Sequence, residues 1–112
     1  MKVICFLILG AFSVSSFAGG GLSAQNIESV AFHQKGFFMY SDGWNDPNNC
    51  RVTGQPNAIV LKNSDSNYDK AYSLILAAFM AEKKVSGYSD GCVEHDGKMY
   101  NTIRGYKYLS VN

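Results

Sequence analysis

The residues best equipped for chemistry lie in one stretch, SDGWNDPNN at positions 41–49. Trp44 is the only tryptophan in the chain. Around it Ser41, Asp42, Asn45 and Asp46 place a hydroxyl, two carboxylates and an amide. Saccharide recognition needs such a mixture: an aromatic face against the C–H side of a sugar ring, and short donors and acceptors on its hydroxyls. These five residues are the candidate ligand-binding set, with a glycan as the candidate ligand. A second reading stays open, in which Asp and Asn form turns and Trp44 packs down over one end of the core. Calcium ligation by Asp42, Asn45 and Asp46 is chemically conceivable, but their spacing matches no cation loop, so no metal site is expected.

Catalytic chemistry has little to stand on. The chain carries no GxSxG, HExxH or phosphate-loop pattern. His33 and His95 with Ser41 or Asp42 make no arrangement whose spacing demands a triad. His33 reads as a strand-rim residue, and His95, between Glu94 and Asp96, as part of a solvated turn. No enzyme activity and no cofactor are expected.

The cysteines sort themselves once the N-terminus is read. Lys2 precedes an uncharged apolar run over residues 3–14, and Ser16-Phe17-Ala18 fits a small-x-small cleavage site. Residues 1–18 therefore read as a cleaved signal peptide, leaving one domain over residues 19–112. The apolar run is shorter than the roughly 20 residues that span a membrane, so no membrane span is expected after cleavage. Cys5 leaves with the leader, and Cys50 and Cys92 remain. In an exported chain, periplasmic or secreted, two cysteines most simply form one disulfide; the alternative, a redox or metal pair, would want a CxxC-type spacing or a ligand cluster. Losing Lys2 leaves nine basic and nine acidic residues, a formal charge of zero. That balance argues against a nucleic-acid partner, which calls for a basic surface.

These residues must be positioned by a β-rich domain. Residues 19–25 form a Gly/Ser-rich start with little ordering tendency. Residues 27–33 and 36–40 read as a hairpin, residues 41–55 as a loop, and residues 58–62 as a third strand. A helix is expected over residues 68–82, capped by Ser66 or Asn67, with Asp69 in its first turn and Lys83 and Lys84 at its end. It is apolar on nearly every side, the pattern of a helix buried all round. Residues 85–89 form a further strand, and residues 99–111 one long strand or two shorter ones broken at Gly105. Tyrosines recur through the chain; on outer strands they would suit a glycan or single-stranded nucleic acid, though most read as half-buried sheet residues. The resulting order, β-β-β-α-β-β, predicts a β-rich α+β fold: a five-stranded OB-fold-like barrel with one helix between strands three and four.

One pattern points to a family. Tyr68, Ala71, Tyr72, Ser73, Leu76, Ala77 and Ala78, followed by Lys83, Lys84, Val85, Tyr88, Gly91 and Cys92, resemble the B subunit of subtilase cytotoxin and its small relatives. The segment 37–50, with its strand, Asp42-Gly43 and Asn48-Asn49-Cys50, fits as well. The resemblance covers residues 27–112 and implies an OB-fold with a disulfide from the strand after the helix to an earlier loop. For toxin members it further implies a homo-oligomer, a ring of five B subunits that binds sialylated glycans and delivers an enzymatic A subunit. It assigns no sugar-contacting residue within the matching segments. The competing expectation is a monomeric periplasmic or secreted accessory protein of the same fold without lectin activity.

Overall fold

The computed structural model describes residues 19–112; the expected leader, including Cys5, lies outside the described residues. The elements in order are β1 (Gly20–Asn26), β2 (Ser29–His33), β3 (Gly36–Tyr40), β4 (Ala58–Lys62), α1 (Tyr68–Met80), β5 (Lys84–Ser89), β6 (Cys92–His95), β7 (Lys98–Thr102) and β8 (Ser110–Val111). They form an α+β domain with one described helix and two sheets. One sheet has three strands in the order β1-β5-β8; the other has five in the order β2-β3-β4-β7-β6. All pairings are antiparallel except β4 with β7, which run parallel.

This departs from the expected five-stranded barrel, since among the described residues no closed barrel forms. A second sheet forms instead, and it starts from the Gly/Ser-rich segment. Poor in strand formers, it nonetheless becomes β1 by pairing with β5 from Gly20↔Ser89 to Asn26↔Lys84, with a register shift between Leu22 and Gln25. Leu22 anchors it in the core, so tertiary burial overrides weak local propensity. β5 is thereby recruited into a second sheet, which β8 completes.

Alternation explains why β3 and β4 are buried on both faces. Side chains point to opposite faces at successive positions. Phe37, Met39, Ile59 and Leu61 enter the main core with Leu22, Val85 and Ile103, while Phe38, Ala58, Val60 and Tyr100 form a second cluster. A flat five-stranded sheet would hold its edge strands about 19 Å apart, at about 4.8 Å per step. Yet His33 on edge strand β2 and His95 on edge strand β6 stack with ring centroids 4.8 Å apart, and both rings pack against Phe38. Lys35 and Glu94 meet across the same gap at 3.6 Å. The sheet therefore curls around Phe38 until its edges touch through side chains, with no ladder between them.

The helix begins where Asp65 folds back: its carboxylate accepts from Asn67 N at 2.8 Å and its carbonyl from Tyr68 N at 3.1 Å. Asn67 occupies the N-cap position but makes no side-chain cap bond. The helix stops at Met80 because Glu82 turns left-handed (φ 58°), letting Lys83 N reach Ala78 O and Glu82 N reach Phe79 O, the double bond of a Schellman ending. Lys83 and Lys84 thus lie beyond the last turn. Ala71, Ile75 and Ala78 face the core, but Leu74 is 42% and Met80 74% exposed. Burial on every side, expected from the apolar pattern, is not what the chain adopts.

Candidate functional site

The loop 41–49 is built by bonds that consume its own polar groups. Trp44 is 2% exposed, and its indole N–H donates to Met39 O at 3.2 Å. Of the two roles open to Trp44, the fold uses packing; its ring offers no face to solvent. Ser41 is also buried, its hydroxyl accepting from Gly43 N. Asn45 ties the loop to β1, with its side-chain oxygen accepting from Ser23 N at 3.0 Å and its amide donating to Gly21 O at 2.9 Å. Asp46 accepts from Cys50 N at 2.8 Å, Arg51 N at 3.2 Å and the Asn101 amide at 2.7 Å. Partial burial would raise its pKa, but these hydrogen bonds and the Arg51 charge outweigh that and hold it below the ordinary carboxylate range. Asp42 alone of the five keeps an exposed side chain clear of such a network.

Asn101, on β7 and completely buried, is the hub beneath the loop. Its amide donates to Asp46, and its oxygen accepts from Asn48 N and Asn48 Nδ2, each at 3.2 Å. Asn48 reaches on to the Ser89 hydroxyl at 2.7 Å. The Cys50–Cys92 disulfide closes beside this network, with Cys50 Sγ 3.1 Å from Asn101 Oδ1. Nothing in the sequence marks Asn101, a lone amide in the strand KMYNT; its role follows from β7 passing under the loop. His33 and His95 do come together, but at the sheet seam, with His33 Nε2 3.2 Å from the Tyr40 hydroxyl and His95 Nε2 3.3 Å from Asp96. Neither lies with Ser41 or Asp42, and no group of three or more metal-ligating side chains occurs among the described residues.

The exposed side chains best suited to a ligand are at the other end of the chain. Ile103 N and Arg104 N still donate to the strand carbonyls of Val60 and Tyr88; beyond them the chain leaves the strands and is tied to the helix start, where Gly105 N donates to Asp65 at 2.9 Å and the Asn67 amide donates to Gly105 O at 2.6 Å. A side chain at Gly105 would press within 2.8 Å of Ala71 Cβ, so only glycine lets the segment lie this close. The chain then turns outward through Tyr108 in a left-handed conformation (φ 69°). Tyrosine is uncommon there, and such strain concentrates at functional positions. Tyr106 and Tyr108 are 56% and 61% exposed.

These rings gather around one cation. The Arg104 guanidinium carbon lies 4.4, 5.6 and 5.9 Å from the ring centres of Tyr88, Tyr106 and Tyr108. Its Nε donates to both Asp90 oxygens at 2.7 and 2.9 Å, and its Nη2 to Oδ1 at 2.7 Å. Hydrogen bonding from Arg104, then its charge and the Tyr106 hydroxyl, hold the Asp90 pKa below the usual range; Asp90 in turn holds Arg104 firmly protonated. Tyr106 lines two clefts of about 260 Å³ each, one with Lys62, Asp90 and Arg104, the other with Lys70, Leu74 and Tyr108. The larger depression, about 440 Å³ at the helix start, is lined by Asn63, Ser66, Asn67 and Asp69 and offers one ring, Tyr68. The signal for the tyrosine surface was RGYKY at 104–108, in which a glycine breaks the strand and frees the rings from the sheet.

Comparison of the chain with family models, curated proteins and solved structures found no match. Among the described residues no helix is long and apolar enough to cross a membrane.

Proposed function

We propose that this chain is an exported, non-enzymatic glycan-binding module whose saccharide lies across Tyr88, Arg104, Tyr106 and Tyr108. The observation that carries the reading is the exposed tyrosine cluster around the paired Arg104, bordered by two clefts. Aromatic faces suit sugar C–H surfaces, and the charged pair supplies donors and acceptors for hydroxyls. The resemblance to toxin B subunits supports the same class and adds an OB-fold-like barrel and a ring of copies. Contact between the two edges of the five-stranded sheet supports the barrel reading, and exposed Leu74 and Met80 leave apolar surface on α1 for assembly.

The test is a glycan array spanning neutral and acidic saccharides, followed by titration of the strongest hit. Tyr106→Ala and Tyr108→Ala each weaken binding at least tenfold if the reading holds. No hit of either kind removes it. Light scattering at micromolar concentration tests assembly separately, since a strict monomer favours the accessory-protein alternative.

A further inference from the structure

We infer that the saccharide taken by this surface is uncharged, and that the Arg104–Asp90 pair is what selects it. This rests on the carbohydrate reading above and narrows it. An arginine that grips an anionic ligand presents its planar fork for a bidentate bond with a carboxylate. Here that edge is occupied, because Nε and Nη2 both donate to Asp90. An acidic sugar must displace Asp90, or bind through the remaining nitrogen with the Asp90 charge beside it. The cleft that Asp90 lines carries Lys62 and Arg104 against Asp65 and Asp90, so its formal charges cancel and no net field draws an anion in.

The same pairing suits hydroxyls. Each sugar hydroxyl donates once and accepts twice. The second guanidinium edge donates, the Asp90 carboxylate accepts, and the two lie side by side, matching the two functions of a vicinal diol. Tyr106, which lines the same cleft, provides the neighbouring ring face. The second cleft differs, since Lys70 and Lys107 line it without an acidic side chain. An acidic ligand attracted by charge alone belongs there, in the cleft that Asp90 does not line.

Matched probes separate the possibilities: lactose and 3′-sialyllactose, together with the neutral and acidic hits of the array, titrated into the protein by NMR. The expected result is binding of neutral probes, weakened at least tenfold by Asp90→Asn and by Arg104→Lys, which keeps the charge but loses the fork. Unchanged circular dichroism shows that each variant is folded. Binding confined to acidic probes, or neutral binding unmoved by both variants, overturns the inference while leaving a carbohydrate module. Absence of binding by every probe overturns the carbohydrate reading and this inference with it.

Discussion

Asn101→Asp is the substitution whose effect follows most directly from the geometry. It preserves shape and the acceptor that serves Asn48, and changes only the group facing Asp46, from an amide donor at 2.7 Å to a second carboxylate oxygen. Two carboxylates relaxing to about 4 Å repel by about 4 kcal/mol at an effective dielectric of about 20. The alternative is to protonate one of them at pH 7, roughly three units above an ordinary Asp value, which also costs about 4 kcal/mol at 1.36 kcal/mol per unit. Both routes predict a loss of about 4 kcal/mol, a large fraction of a small domain's stability. The sign with pH reverses as well. In the native protein the Asp46 pKa is depressed, so its contribution is complete above about pH 4, the unfolded value, and is lost as pH falls through the folded one. In the variant the shared carboxyl has a raised pKa, so stability increases on acidification from neutral pH. Urea unfolding from pH 7 to pH 5, with the disulfide intact, reads both. A loss below about 1 kcal/mol at pH 7, or no relative gain at pH 5, would refute the hub.

Other outcomes follow from single features. Replacing Cys50 and Cys92 by serine reopens a loop of sequence separation 42 and lowers stability by about 4 kcal/mol in the chain-entropy model, readable by denaturation. A double-mutant cycle on His33 and His95 yields a coupling of about 0.5–1.5 kcal/mol, as for other stacked aromatic pairs; zero coupling contradicts contact between the sheet edges. Glu82→Gly relieves a left-handed residue at φ 58° and raises stability by about 0.5–1 kcal/mol, measured as a higher denaturation midpoint. Trp44, being buried, emits at short wavelength, resists acrylamide quenching, and keeps the same emission maximum when saccharide binds; a ligand-induced shift would place the sugar at the 41–49 loop.

Local patterns in the sequence found the β2–β3 hairpin, the strand at Ala58–Lys62, the helix and the cysteine pair, because alternation, capping residues and cysteine count act over short range or by elimination. They missed β1, whose Gly/Ser composition says little while its partner lies more than fifty residues away. They also missed the second sheet that β1 creates. For the 41–49 loop the sequence offers residue types alone. Asn, Asp and Trp serve a ligand or a fold equally well, and only the positions of Gly21, Met39, Cys50 and Asn101 show where their bonds go. Tyr106 and Tyr108 were visible as tyrosines, but their exposure depends on Gly105 lying against Asp65 and Ala71, contacts set by the packing of the helix.

The proposed ligand surface is the tyrosine–arginine cluster rather than the tryptophan loop. Backbone NMR of the purified protein, titrated with the strongest array hit, tests it directly. Shift changes centred on Tyr88, Asp90, Arg104, Tyr106 and Tyr108, abolished in Tyr106→Ala, are the expected result. Changes centred on residues 41–46 instead, or none at saturating saccharide, would contradict it.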